Sequence, residues 1–166
     1  YGGWQRNRVR EVDIVSGCFL LITTELWQQL GGFDATFFMY GEEADLCLRA
    51  RSLGARPMIT PEATIVHYGG ASERTRTGKM VNLLAAKSLL ISRHWHPAFA
   101  PFGRALLAAW PLSRWIALSI VATARARADQ AEAAATWGQI WRQRRQWRGG
   151  YSALGASQNK VASTPR

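Results

Sequence analysis

The chain has 166 residues, of which 48% are hydrophobic and 19% are charged, so it is long enough for a globular domain and too apolar for a disordered segment. Its net charge of +10 is divided unevenly. Residues 1–73 hold 6 basic and 9 acidic side chains, a balance of −3, whereas residues 74–166 hold 15 basic and 2 acidic ones, a balance of +13. This asymmetry predicts an anionic partner for the second half, either anionic lipid or nucleic acid.

The two cysteines and the N-terminal residues bound the class of protein further. Cys18 and Cys47 lie within apolar runs and share no metal-ligand spacing, so the sequence predicts neither a disulfide scaffold nor a zinc site, and both thiols are expected in the core. The first residue is Tyr1, and no basic segment followed by an apolar one indicates a signal peptide. The chain is therefore expected to be a fragment.

The first part of the chain predicts strand, short helix and glycine turn in succession. Residues 1–11 are polar and read as a loop, and residues 13–23 are nearly continuously apolar and β-branched, which is typical of a strand covered on both faces. Ser16-Gly17 interrupts that strand, at a place where a ligand could approach the backbone. Thr24 is expected to cap a short helix that ends at Gly31-Gly32.

The middle of the chain predicts two further helices with strands between them. An aromatic segment over residues 33–40 leads to a helix from about Glu42 to Leu53, ended by Gly54. Residues 56–60 and 63–68 are expected to form short strands. Helical spacing of the apolar residues then predicts a helix from Gly78 to about Trp95.

The last part of the chain is apolar and then basic. A Pro/Gly break over residues 97–103 precedes residues 105–124, whose only charge is Arg114. Residues 125–148 predict a basic helix with three tryptophans, and residues 149–166 are expected to be a disordered tail.

Three carboxylates stand together at the start of the second predicted helix. At 100° per residue, Glu43 falls inside the apolar arc of the helix, whereas Glu42, Asp45 and Arg49 fall on its polar face, where Asp45 and Arg49 are spaced as an i,i+4 ion pair. Glu43 is therefore the acid expected to face the interior or a cleft. A carboxylate at a helix N-terminus is favoured in its ionised form and could act as a base, although the three acids could also merely complement the helix dipole.

Three segments together resemble the C-terminal half of the catalytic domain of family 2 glycosyltransferases. They are VSGCFLLI (15–22), LGGFDATFFMYGEEADLCLRARSLG (30–54) and TPEATIVHYGGAS (60–72), and the resemblance extends over about residues 9–96. The nearest type is the rhamnosyltransferase-like group with the GT-A fold. The resemblance implies an α/β fold: a partial, Rossmann-like GT-A domain over residues 1–96, followed by an α-helical, membrane-associated region over residues 97–148 and a tail over residues 149–166.

The same resemblance assigns roles to the residues of the acidic cluster. Glu43 matches the catalytic base of the family, which is more usually Asp in a Glu-Asp pair, so Glu42 stays open as the alternative base or as an acceptor contact. Asp45 joins the substrate-binding candidates. The nucleotide-binding half, with an Asp-x-Asp motif that holds a divalent metal, comes first in the family, and this chain has no such motif. The resemblance therefore implies that the chain is inactive alone.

The remaining site candidates flank the acidic cluster in sequence. His67 matches the position that can complete the coordination of Mg²⁺ or Mn²⁺, although a single His is often structural. Ser16 and Gly17 match the segment that lines the sugar and acceptor cleft. Hydroxyl and cationic groups on the loop beyond His67 could neutralise a diphosphate leaving group or could simply be solvated; they are Ser72, Arg76 and Lys79.

Residues 105–124 have the length needed to cross a bilayer core. Pro111 and Arg114 interrupt the middle and both flanks are basic, so a re-entrant or interfacial helix on the cytoplasmic leaflet is favoured, with Trp110 and Trp115 at the headgroups. Arginines at 142, 144, 145 and 148 would then bind anionic lipid. A core helical hairpin is the alternative. Nucleic acid is disfavoured, because phosphate binding does not need the apolar stretch.

The sequence thus predicts a fragment of an inverting transferase at the cytoplasmic face of the bacterial inner membrane, peripheral or monotopic. It would move a sugar, with rhamnose as one candidate, from a nucleotide-diphosphate donor to a lipid-linked or polysaccharide acceptor in cell-envelope glycan synthesis. The alternative is a non-catalytic membrane-binding remnant or scaffold.

Overall fold

The computed structural model describes residues 7–68, 76–125 and 128–151. By its contacts the chain divides into two compact units, Tyr1–Ala71 and Ser72–Arg166. This division differs from the boundary predicted at residue 96, because the helix that precedes that boundary packs on the helices that follow it. The functional roles predicted for residues 1–96 and 97–148 stay predictions.

The first unit contains two short helices and one small sheet. Its elements are β1 (Arg10–Glu11), α1 (Thr24–Leu30), α2 (Glu42–Ser52) and β2 (Met58–Ile59). The two strands pair antiparallel, with Arg10 opposite Ile59. Val12, Val15 and Cys47 form a buried cluster that joins the segment after β1 to α2.

The helix predictions in this unit are confirmed, with small shifts at their ends. The N-cap of α1 is Thr23 rather than Thr24, and the Thr23 hydroxyl accepts a hydrogen bond from the Leu26 amide at 3.3 Å. Gly31 ends α1 in the left-handed conformation, with a φ of 70°. Helix α2 begins at Glu42, as predicted, and ends at Ser52.

The strand predictions for residues 13–23 and 63–68 are wrong, because both segments are irregular. Side chains expected to be covered are open to solvent: Leu21 is 82% exposed and Val66 is 79% exposed. Of residues 56–60, only Met58–Ile59 is a strand. A strand needs a hydrogen-bonding neighbour, and the described residues supply one two-stranded sheet. The GT-A assignment stays a prediction, since the described part is mostly helical.

The second unit is helical over the residues described. It consists of α3 (Arg76–His94), α4 (Ala100–Arg125), α5 (Ala128–Arg142) and α6 (Arg144–Trp147). The predicted helix at 78–95 is confirmed by α3. The break predicted at 97–103 is shorter than expected, because α4 already begins at Ala100. Nor does Pro111 interrupt the apolar helix, since α4 runs continuously through it.

The end of the described chain folds back onto α3. Trp147 is completely buried, and its Nε1 donates to the Ile140 carbonyl at 3.1 Å. The Ser88 hydroxyl donates to the Arg148 carbonyl at 2.8 Å, and the Tyr151 hydroxyl donates to the Asn82 carbonyl at 3.2 Å. The disordered tail predicted from residue 149 is therefore wrong for residues 149–151, and residues 152–166 lie outside the described residues.

Helix α4 is, among the described residues, the one helix long and apolar enough to cross a membrane by length and composition. Only 11% of its most apolar 18-residue window is buried.

Candidate functional site

The acidic cluster is placed by an unusual backbone turn directly before α2. Tyr40 has a φ of 68° and Gly41 a φ of 88°, so two consecutive residues are left-handed. A non-glycine residue in that region is uncommon and occurs mostly in special turns and at functional sites. The Gly41 carbonyl then accepts the first helical hydrogen bond, from the Asp45 amide at 2.8 Å. The turn thus puts Glu42, Glu43 and Asp45 into the first turn of α2.

Asp45 is buried rather than on a solvated face. Its side chain is 1% exposed, and its Oδ2 accepts from Arg49 Nε at 2.7 Å, which confirms the predicted ion pair. Arg49 also donates to the Leu30 carbonyl at 2.8 Å and to the Gly32 carbonyl at 2.9 Å. The face predicted as polar is therefore covered, because it lies against the end of α1. Asp45 and Arg49 fasten α2 to α1, and a substrate contact for Asp45 remains a prediction.

Gly17 lies against the side chain of Glu43. A Cβ built on Gly17 would be 3.4 Å from Glu43 Cβ, 3.6 Å from Cγ and 3.8 Å from Cδ. An added Cβ at position 17 would therefore be in van der Waals contact with the Glu43 side chain. Two predicted site segments, residues 16–17 and the acidic cluster, thus meet in the structure.

Both glutamates of the cluster carry an oxygen that is buried and unsatisfied. Glu42 Oε2 and Glu43 Oε2 have no hydrogen-bond partner among the described residues. A buried carboxylate oxygen without a partner costs free energy, and such groups in native proteins call for a ligand, water or a catalytic role to explain them. Each of these two oxygens can accept a hydrogen bond from a bound water or from a ligand.

The Glu43 carboxylate affects the pKa of Cys47, which lies one helical turn later in α2. Burial raises the pKa of Cys47, a hydrogen bond with the Val15 backbone lowers it, and the Glu43 carboxylate raises it, with a net rise. Cys47 is a buried, reduced core residue, as predicted. The core prediction is wrong for Cys18, which is exposed because the strand predicted around it does not form.

Ser16 and His67 lie on one groove of the first unit. This groove has a volume of about 860 Å³ and a mostly apolar lining that includes Leu21, Leu26 and Leu46. The volume is within the range of pockets for small ligands. Glu43 and Gly17 do not line this groove. The structure therefore joins the predicted residues in two pairs, Ser16 with His67 and Gly17 with Glu43.

The described residues do not fit a divalent metal by themselves. Across residues 7–68, 76–125 and 128–151, no three His, Cys, Asp or Glu side chains stand close enough to hold an ion. His67 is exposed and would supply a single ligand. A metal site thus requires ligands from elsewhere, and the role of His67 stays a prediction.

The candidates beyond His67 belong to the second unit. Arg76 and Lys79 are exposed in the first turn of α3, three residues apart and so on one helix face. Ser72 lies outside the described residues. Their predicted contact with a diphosphate is untested.

Two features of the site were missed from sequence. The spacing of Arg49 predicts its ion pair with Asp45 but gives no signal for the Leu30 and Gly32 carbonyls, to which it also donates. The left-handed Tyr40 was missed as well, and only the glycine after it could have indicated a turn.

Comparison with known proteins bears on the whole segment that carries these residues. A family model described as glycosyltransferase like family 2 matches residues 4–89, just over half of the chain. The chain belongs to glycosyltransferase-like family 2. Its match takes in Gly17, the acidic cluster and His67 together.

Curated relatives agree with this family. The chain is 32% identical over 92 residues to rhamnosyltransferase WbbL of Escherichia coli K12, covering 51% of this chain and 35% of that protein. It is 37% identical over 59 residues to N-acetylglucosaminyl-diphospho-decaprenol L-rhamnosyltransferase of Mycobacterium tuberculosis, covering 36% of this chain and 19% of that protein. It is 34% identical over 71 residues to O-antigen biosynthesis protein RfbC of Myxococcus xanthus, covering 43% of this chain and 5% of that protein.

The chain thus spans about a third or less of the length of these relatives. No solved structure matches it.

Proposed function

We propose that this chain carries the acceptor side of an inverting glycosyltransferase of cell-envelope glycan synthesis, with Glu43 as its catalytic base. The observation that carries the proposal is the Glu43 carboxylate itself: it stands in the first turn of α2, lies against Gly17, and has a buried oxygen without a partner. Family membership supplies the reaction class. The names of the rhamnosyltransferase relatives support rhamnose as the candidate sugar.

The reaction is a displacement at the anomeric carbon of a nucleotide-diphosphate sugar. An acceptor hydroxyl donates its hydrogen bond to Glu43, which removes the proton as the acceptor oxygen bonds to the anomeric carbon. The bond between that carbon and the diphosphate oxygen breaks, and the electron pair leaves with the diphosphate. A single displacement of this kind inverts the configuration at the anomeric carbon.

Glu43 is preferred over Glu42 for two structural reasons. Its side chain is the one in contact with Gly17, where the missing Cβ leaves room beside the carboxylate. It also stands four residues before the buried Cys47, on the same face of α2. Glu42 also has a buried oxygen without a hydrogen-bond partner, and we assign it to a contact with the acceptor.

The donor and acceptor follow from the relatives rather than from the pocket. We assign the donor to the nucleotide-diphosphate sugars and the acceptor to lipid-linked glycans or growing polysaccharide, in line with the decaprenol-linked and O-antigen names among the relatives. A nucleotide-binding part with an Asp-x-Asp motif is expected upstream of Tyr1. That part would supply the further ligands that a metal bound by His67 needs. The reaction would take place at the cytoplasmic face of the inner membrane.

The proposal is tested by transfer from a labelled nucleotide-diphosphate rhamnose to a butanol-extractable lipid acceptor. The protein that continues upstream of Tyr1 should form product, and residues 1–166 alone should form none. NMR of the product should show an anomeric configuration opposite to that of the donor. Retention of configuration, or turnover by residues 1–166 alone, would contradict the proposal.

If the sequence upstream of Tyr1 encodes no nucleotide-binding part, the alternative of a non-catalytic, membrane-binding remnant takes its place.

A further inference from the structure

Helix α4 presents a continuous uncharged face to solvent. At 100° per residue, six of its outward positions fall within about 40° of one line along the helix. Each of the six is exposed, including two isoleucines, one leucine and one phenylalanine: Phe102, Leu106, Ala109, Ser113, Ile116 and Ile120. We call this set the α4 stripe. Ile120 is 63% exposed and Phe102 is 62% exposed, so both ends of the stripe are open to solvent.

Other positions of α4 pack on neighbouring helices. Trp110 packs edge-on against Trp137 of α5, with ring centroids 5.3 Å apart. Trp115 lies against Gly138, where an added Cβ would be 3.0 Å from its Nε1. Trp110 and Trp115 thus pack on α5 while staying partly exposed, and their contact with lipid headgroups stays a prediction.

The charges of α4 are placed off the stripe. Arg104, Arg114 and Arg125 each lie at least about 120° from the centre of the stripe around the helix. Arg104 and Arg148 also line a pocket of about 270 Å³ together with Ser88 and Ala105. The second half of the chain is also strongly basic, with 15 basic and 2 acidic side chains over residues 74–166. An uncharged, partly apolar helix face on a basic unit matches the acyl chains and phosphates of an anionic bilayer.

The packing of α4 opposes a crossing of the bilayer by this helix. Helix α5 carries exposed Asp129, Glu132 and Arg142, and it packs along α4 through Trp137 and Gly138. A spanning α4 would either carry those charges into the hydrocarbon or lose α5 altogether. Lying in the interface requires neither.

We propose that the α4 stripe is a membrane-docking surface that lies flat in the interface of an anionic bilayer, with its apolar side chains among the acyl chains. The proposal keeps the interfacial helix that the sequence favours and makes the α4 stripe, rather than Trp110 and Trp115, the part of it that meets the bilayer. It does not depend on sugar transfer.

The test uses the full chain and two substitutions of identical chemistry. Ala109→Asp puts a carboxylate on the α4 stripe, and Ala135→Asp puts one on the exposed face of α5. Both are exposed helical alanines, so the cost in helix propensity and in net charge is the same. Binding is measured by co-sedimentation with phosphatidylcholine vesicles, with and without phosphatidylglycerol, and far-UV circular dichroism checks that both variants fold.

We expect Ala109→Asp to lower the partition onto anionic vesicles at least about tenfold, and Ala135→Asp to change it less than about twofold. Higher salt should weaken binding to anionic vesicles and leave binding to neutral ones unchanged. Alkaline carbonate should release the bound protein.

Equal losses from the two aspartates, or no binding of the unsubstituted chain, would overturn the proposal. Retention after carbonate extraction would show a spanning helix and would also overturn it. So would sedimentation showing a dimer that Ala109→Asp dissociates while vesicle binding is kept, since the stripe would then pair two copies of the chain.

Discussion

Arg49→Ala removes the side chain that fastens α2 to the end of α1. In the structure this guanidinium pairs with Asp45 at 2.7 Å and donates to the carbonyls of Leu30 and Gly32. Its loss leaves the Asp45 carboxylate, which is 1% exposed, without its cation. The loss also leaves two turn carbonyls without a donor.

The magnitude follows from the burial of the pair. Removing one partner of a buried ion pair costs about 3–5 kcal/mol. Arg49 is 27% exposed, so water can replace part of what is lost, and we take the lower end, about 3 kcal/mol. At about 1.4 kcal/mol per factor of ten, opening of α2 should become about 100-fold more frequent.

Amide hydrogen exchange of peptides from α2 measures this directly. The matched control is Arg51→Ala, on the same helix, whose partner Asp13 is 68% exposed. A surface pair contributes about 0–1 kcal/mol, so exchange there should rise by no more than about fivefold. Adding Asp45→Asn to Arg49→Ala should slow exchange again, because the buried negative charge that Arg49 paired is then removed. Equal effects of Arg49→Ala and Arg51→Ala would refute the reasoning.

Two further predictions concern Cys47 and the glycine pair after α1. In the folded chain a thiol reagent should label the exposed Cys18 at once and the buried Cys47 only on unfolding. Because the pKa of Cys47 is raised in the folded chain, the free energy of unfolding should fall as pH rises above about 8.5. Cys47→Ser should reduce that fall, and Cys18→Ser should not. Gly31→Ala should lower the free energy of unfolding by about 1–2 kcal/mol, because of the left-handed φ at that position alone. Gly32→Ala should lower it further, because its added Cβ would also be 2.9 Å from Trp27 Cζ2. Urea unfolding measures both, and equal losses would count against the packing described.

The sequence was sufficient for the helices because their signals are local. Thr23, Gly31 and the acids of α2 each act within one helical turn, so the positions of α1 and α2 could be predicted to within about a residue. Helical phase also predicted that Glu43 faces inward. The sequence likewise gave enough, through the order and spacing of its motifs, to indicate the family that the comparison found.

The failures concern contacts between residues distant in the chain. Residues 13–23 have the composition of a strand, but a strand depends on neighbours that composition does not specify. Helical phase places Asp45 on the polar face of α2. It does not reveal that this face is buried, because Arg49 reaches carbonyls 17 and 19 residues earlier in the chain. Nor does the sequence reveal that Trp110 packs on Trp137, which lies on another helix.

The role of Glu43 as the base is tested most directly by comparing Glu43→Gln with Glu42→Gln in the protein that continues upstream of Tyr1. Both changes remove a carboxylate and keep the shape of the side chain. We predict that Glu43→Gln lowers kcat by about 10²–10⁴-fold with donor binding retained, the range for a lost general base, and that Glu42→Gln acts mainly on KM for the acceptor. A loss of kcat from Glu42→Gln with none from Glu43→Gln would contradict the account.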